Sequence, residues 1–130
     1  MGCGTAILAI LAEKMGAKSL MAIDNDPVAT ENAVLNCEIN GMKNVSVFTG
    51  DASTPGNEIF DVILANINRN IILEDFPLYV TYLAKEGILM LSGFYLVDLE
   101  KIVEKATSLN LICTSHHVTN DWCQANFTRI

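Results

Sequence analysis

Gly2-Cys3-Gly4-Thr5-Ala6 runs straight into the apolar stretch Ile7 to Ala12, the pattern of a strand-to-helix turn that receives a ligand. Two glycines one residue apart present no Cβ, so the backbone turns tightly and a ligand can come within contact distance. A helix expected from Thr5 to about Met15, stopped by Gly16, would aim its free first-turn N–H groups and the positive end of its dipole at a carboxylate, a phosphate or a polar cofactor edge. Asp24 stands 20 residues beyond Gly4, at the end of a second apolar run, where a carboxylate can accept hydrogen bonds from both hydroxyls of a ribose. The bland alternative is that Asp24 only shapes the turn into the next helix. Asp51-Ala52 and Asn66-Ile67-Asn68 are further polar breaks where apolar runs end. Taken together these positions point to a cofactor that carries an adenosine.

The glycine loop also says which cofactors fit poorly. A dinucleotide fingerprint G-x-G-x-x-G needs a third glycine at position 7, and Ile7 stands there, a β-branched residue that would obstruct close helix-to-strand packing. No P-loop lysine follows the glycines, so a nucleoside triphosphate is not indicated either.

The elements that must hold these residues alternate along the chain. Ser19 to Ile23 reads as a buried parallel strand, and Asp26-Pro27 as the cap and first residue of a helix running to about Asn40. In that helix Ala29, Ala33 and Cys37 recur every four residues as a small-residue face suited to a close approach to a sheet. Val45 to Thr49 and Phe60 to Ala65 are strands. Arg69 to Ala84 is a helix with Ile72, Phe76, Tyr79, Val80 and Leu83 inward and a kink or break expected at Pro77. Gly87 to Leu91 is a fourth strand. Asp98 to Ser108 is an amphipathic helix with Leu99, Ile102, Val103 and Ala106 inward. Leu111 to Val118 and Cys123 to Ile130, joined through Thr119-Asn120-Asp121, fit an antiparallel hairpin. The alternation argues for an α/β domain with a parallel sheet covered on both faces. The first helix, apolar on nearly every side, is expected to pack against that sheet.

With 130 residues, 51% of them hydrophobic, one core is expected. A net charge of −7 argues against a basic grip on nucleic acid. No stretch has the length of a membrane span or the pattern of a secretory leader, so a soluble cytoplasmic protein is expected. Cys3, Cys37, Cys113 and Cys123 lack metal-site spacing and are expected as reduced, mostly buried thiols, with no metal site. His116 and His117 are adjacent in a strand, point to opposite faces and are read as surface residues.

Gly-Cys-Gly-Thr-Ala from Gly2, Ala-Ile-Asp-Asn-Asp-Pro from Ala22, Asp-Val-Ile-Leu-Ala-Asn-Ile from Asp61, Leu91-Ser92-Gly93 and Asp121-Trp122-Cys123 together resemble class I S-adenosyl-L-methionine-dependent methyltransferases. Within that superfamily they resemble most the PrmA family, which methylates the eleventh protein of the large ribosomal subunit. The glycine motif specifies only the superfamily; Ala65-Asn66-Ile67, Leu91-Ser92-Gly93 and Trp122-Cys123 narrow it. The resemblance covers essentially the whole chain. It implies a Rossmann-like sheet, mostly parallel, with seven strands in the order 3-2-1-4-5-7-6 and an antiparallel C-terminal hairpin. It further implies that residues 1–130 are the methyltransferase domain cut at its N-terminus, with strand 1, an acidic residue before Met1 and a substrate-recognition domain lying ahead of it. Without its central strand such a chain is expected to be destabilised, to aggregate or to borrow a strand.

By position, the resemblance implies that Gly2 and Gly4, with Cys3 between them, lie under the methionine part of the cofactor. Asp24, with Asn25 beside it, holds the ribose; Asp51 and Ala52 border the adenine; and Asn66 meets both the methyl group and the acceptor nitrogen. Ala6 replaces a small glycine usual at its position. Asn68-Arg69 differs from the more apolar sequence common after the Asn-Ile pair and leaves the acceptor open. The implied activity is N-methylation of a protein, a ribosomal protein by family. Methylation of a small molecule or another protein, and a binding-only or structural domain, are the competing readings.

Overall fold

A computed structural model describes residues 1–130, with four α-helices and six strands. The chain forms two compact units, Met1–Thr54 and Pro55–Ile130.

In the first unit, α1 (Ile7–Lys14), β1 (Leu20–Asp24), α2 (Pro27–Ile39) and β2 (Val45–Thr49) follow one another, and β1 and β2 pair in parallel, Leu20 with Val45 through Asp24 with Thr49. Asp26 caps α2 by accepting from the Val28 N–H at 2.9 Å, with Pro27 at the first helical position, as the residue types dictate. Ala33 and Cys37 are buried and gather Ala6, Ile10, Val45 and Val47 around them, so the small-residue face of α2 does approach the strands. One expectation for α1 needs correction. It starts at Ile7 rather than Thr5, because Ala6 sits in the left-handed region at φ 63° and cannot be helical. It packs against the strands as expected, but through one face: Ala9 and Ile10 join the cluster with Val45 and Val47, while Ile7, Leu11 and Met15 remain more than half exposed.

In the second unit the order is β3 (Phe60–Asn66), α3 (Arg69–Tyr82), β4 (Leu83–Tyr95), a 3₁₀ turn (Leu96–Asp98), α4 (Leu99–Ser108), β5 (Leu111–Thr119) and β6 (Trp122–Arg129). The strands lie in the order β3-β4-β6-β5, with β3 and β4 parallel and β6 antiparallel to both β4 and β5. Numbered as the resemblance numbers them, the two sheets reproduce 3-2 and 4-5-7-6. Leu89 and Leu91 of β4 and Ala125 and Phe127 of β6 alternate into a core closed by Ile72, Phe76 and Tyr79 of α3 and Ile102 and Ala106 of α4. Phe76 and Phe127 meet edge to face at 5.9 Å, worth about 0.5–1.5 kcal/mol beyond the area they bury. The Arg129 guanidinium donates to the carbonyls of Val80 at 3.2 Å and Leu83 at 2.7 Å, satisfying the exit of α3.

Three further expectations change here. α3 is continuous through Pro77, which lies exposed, so the expected break does not occur. Leu83 belongs to β4 and not to the helix. β4 is 13 residues long rather than five, because it pairs with Phe60 at one end and with Trp122 at the other, across irregularities in register. The hairpin turn is Asn120-Asp121, both at positive φ (49° and 66°), the left-handed pair that a two-residue β-hairpin requires.

Candidate functional site

The glycine turn of the first unit is built by alternating left-handed residues: Gly2, Gly4 and Ala6 have φ of 63°, 51° and 63°. The Cys3 N–H donates to the Ile23 carbonyl at 2.9 Å, so the turn runs beside the end of β1, and the Ala6 N–H closes it on the Cys3 carbonyl at 2.8 Å. Asp24 ties the turn to the strand. Its Oδ2 accepts the Gly4 N–H at 2.9 Å and its Oδ1 accepts the Asp26 N–H at 3.0 Å. Each carboxylate oxygen therefore keeps a lone pair free, so the structural role of Asp24 and a role toward a diol are compatible in one side chain. A Cβ at Gly4 would meet nothing within 4 Å, so open space lies over that residue.

Gly50 donates its N–H to the Asp24 carbonyl at 2.9 Å, which brings the segment after β2 alongside the end of β1. Asn25 is exposed beside Asp24 and Ala52 is buried beside exposed Asp51. Asp51 accepts from both the N–H and the hydroxyl of Ser53, and these bonds hold its carboxyl below the ordinary 3.8. Burial, and after it the Asp24 carboxylate, push the Cys3 thiol up, which disfavours the reactive thiolate. Gly2, Cys3, Gly4, Asn25, Asp51 and Ala52 thus fall on loops of this unit that follow strands or precede α1, and Asp24 is the last residue of β1. Acceptors for hydroxyls, donors from a helix start and an apolar residue are the set that a nucleoside with a polar tail needs.

Asn66 belongs to the second unit, where it ends β3 opposite Ser92. The Ile67 N–H donates to the Ser92 carbonyl at 3.1 Å, Asn68 caps α3 through the Ile71 N–H at 3.2 Å, and Arg69 pairs with Asp98 at 2.8 Å. The loop carrying Asn66 is therefore tied at each residue that follows it. Asn66 lines a cavity of about 620 Å³ with Ser92, Gly93, His117, Trp122 and Gln124. The only ionisable side chains among its lining residues are His117 and Cys123, and burial pushes the Cys123 thiol up.

Sequence reasoning gave no role to Gly93, His117, Trp122 or Gln124. The signal was present in the hairpin: His117 pairs with Gln124 and Thr119 with Trp122, so period-two alternation on each side of a two-residue turn puts all four on one face. His116 and His117 are both exposed, as expected, and His117 faces the cavity. The four cysteines are free, but only Cys37 and Cys123 are buried. No group of three or more His, Cys, Asp or Glu residues is placed to hold a metal ion, and no helix is long and apolar enough to cross a membrane.

A family model described as ribosomal protein L11 methyltransferase (PrmA) matches residues 1–130. A ribosomal protein L11 methyltransferase of Porphyromonas gingivalis is 44% identical over 129 residues, which is 98% of this chain and 44% of that protein. The chain thus spans less than half the length of this relative. A crystal structure of the ribosomal protein L11 methylase from Lactobacillus delbrueckii subsp. bulgaricus matches with a TM-score of 0.94 at 28% identity, covering 98% of this chain and 67% of that one. The N-methyltransferase NodS from Bradyrhizobium japonicum, solved in complex with S-adenosyl-L-homocysteine, shares the fold with a TM-score of 0.76 at 19% identity, over 98% of this chain and 74% of that one.

Proposed function

The chain belongs to the ribosomal protein L11 methyltransferase (PrmA) family and has its Rossmann-like α/β fold, and from that membership we propose that its protein transfers a methyl group from S-adenosyl-L-methionine to an amine nitrogen of a large-subunit ribosomal protein. The same reading puts its action in the cytoplasm. The observation that supports the cofactor most is the Asp24 carboxylate held by the Gly4 N–H at 2.9 Å, which makes the glycine turn and the strand-end acid one element.

In this reading Gly2, Cys3 and Gly4 give the methionine end a Cβ-free approach over Gly2 and Gly4, and the first-turn amides of α1 receive its carboxylate. Asp24 accepts the ribose hydroxyls with the lone pairs its backbone bonds leave free, and Asn25, Asp51 and Ala52 flank the nucleoside. When bound, the cofactor supplies a methyl group already activated on a sulfonium sulfur. What remains for the protein is to deliver a neutral amine in line with it. A lysine amine has an ordinary pKa of about 10.4 and must lose its proton first. The cavity at Asn66 has no carboxylate among its lining residues, so it gives an ammonium no counter-charge and favours the neutral form. Asn66 then accepts an N–H of that amine through Oδ1 and aims its lone pair.

Isothermal titration of S-adenosyl-L-homocysteine tests the cofactor assignment. Saturable heat in the micromolar range is expected from the wild type and its loss from Asp24→Ala. A folded wild-type sample, of this chain and of its full gene product alike, that gives no heat at high micromolar ligand would overturn it.

A further inference from the structure

A second concavity in the Pro55–Ile130 unit lies along α4, away from Asn66. Leu96, Leu99 and Val103 form its apolar floor and Glu100 and Glu104 its charged edge; no lysine or arginine lines it. These positions recur at three and four residues and so occupy one stripe of the helix. Lys101 and Lys105 stand one residue on from each glutamate, outside the lining.

One end of the groove, at Leu96, lies one residue from a wall of the Asn66 cavity. Leu96 follows Tyr95, whose ring stacks on Trp122 with centroids 4.4 Å apart, and Trp122 is itself a wall of that cavity. The Leu96 N–H donates to the Asp121 carbonyl at 3.0 Å, which pins the start of the groove to the hairpin turn. Tyr95, Leu96 and Trp122 are each 43–50% exposed and Val97 is 85% exposed. Four exposed apolar side chains, Tyr95, Leu96, Val97 and Trp122, therefore stand between the groove and the cavity.

Resting on the methyl-transfer reading above, we propose that this groove docks the segment of the substrate protein that flanks the acceptor amine, and that the segment is basic with interspersed aliphatic residues. Two carboxylates without a basic partner on the lining select positive charge, and the leucine and valine floor takes aliphatic side chains between the charges. The Tyr95–Trp122 stack then carries the chain on to Asn66, and its ring faces suit an approaching ammonium.

The test is fluorescence anisotropy of a dye-labelled, end-blocked peptide of repeated leucine-lysine-lysine, titrated with the full gene product. Saturable binding is expected, weakened about tenfold by the pair Glu100→Lys and Glu104→Lys, and unchanged by the control pair Glu31→Lys and Glu38→Lys, which alters net charge equally. No binding, no loss with the groove pair, or equal loss with both pairs would overturn the proposal. So would a dimer that the groove pair dissociates, since a second copy would then occupy the groove. S-adenosyl-L-homocysteine affinity, measured on the same samples, separates the two readings: retained affinity with failed peptide binding removes the groove alone, and lost affinity with intact peptide binding removes the cofactor assignment alone.

Discussion

A Cβ added to Gly93 would stand 2.7 Å from Oδ1 of Asn66 and 2.8 Å from the Ile67 carbonyl oxygen. Gly93 has φ of 89°, so both its backbone conformation and the atoms above it demand glycine. β4, which carries Gly93, thus packs directly under the Asn66 amide that is proposed to meet the acceptor amine.

Gly93→Ala is expected to push Asn66 out of place. Methyl transfer should fall on the order of 100-fold, the penalty typical of a misplacement of about 1 Å, while S-adenosyl-L-homocysteine affinity, which the proposal assigns to residues of the first unit, should stay within about twofold. Steady-state rates together with titration calorimetry check this; equal loss in both would place the effect elsewhere.

Asp24→Ala removes the acceptor for the Gly4 and Asp26 amides and, with it, the proposed acceptor for the ribose. Hydrogen bonds to a charged group are worth about 1.5–3 kcal/mol, so S-adenosyl-L-homocysteine affinity should drop at least about tenfold and the chain should melt earlier. Affinity unchanged within error would leave Asp24 with the turn-shaping role alone.

Ala6 is 1% exposed at φ 63°, and this position separates conformation from space. Ala6→Val forces a β-branched residue into the left-handed region and two methyl groups into the cluster with Ala33 and Cys37, at an expected cost of about 3 kcal/mol. Ala6→Gly should be nearly neutral, because relief of about 1–2 kcal/mol of backbone strain is offset by a lost buried methyl and a freer unfolded chain. Denaturant unfolding of the two variants measures both.

The Asp51 carboxyl should titrate below 3.8 in the folded chain and return toward it in Ser53→Ala. A group whose folded value is lowered contributes stability above its unfolded value and loses it as pH falls through the folded one. The contribution of this loop therefore vanishes only in strong acid and is complete at neutral pH. Carbon-13 shifts of the Asp51 carboxyl against pH report it directly.

Much of this was legible in the residue order because local chemistry decided it. Asp26-Pro27 could only begin a helix, the apolar run at Phe60 could only be a strand, and Asn120-Asp121 suited a two-residue turn. The misreadings arose where tertiary context decides. The left-handed state of Ala6 follows from closing the turn onto Cys3, which the propensity of alanine hides. The reach of β4 to Tyr95 follows from its pairing with Trp122, 27 residues further along the chain and invisible to a local window. The exposure of Ile7, Leu11 and Met15 could not be read from an apolar run, which signals burial without saying against what. His117 was passed over because both histidines read as surface residues on opposite faces, and only the hairpin register shows that the face of His117 lines the cavity.

Asn66 is the residue proposed to meet the acceptor, and one assay tests that role most directly. Transfer of a tritiated methyl group from S-adenosyl-L-methionine to a purified ribosomal protein L11 is followed with the full gene product and its Asn66→Ala variant, with S-adenosyl-L-homocysteine affinity measured alongside. The expected result is saturable labelling by the wild type, a loss on the order of 100-fold in the variant, and cofactor affinity changed by less than about threefold. Labelling by Asn66→Ala at the wild-type rate would contradict the account.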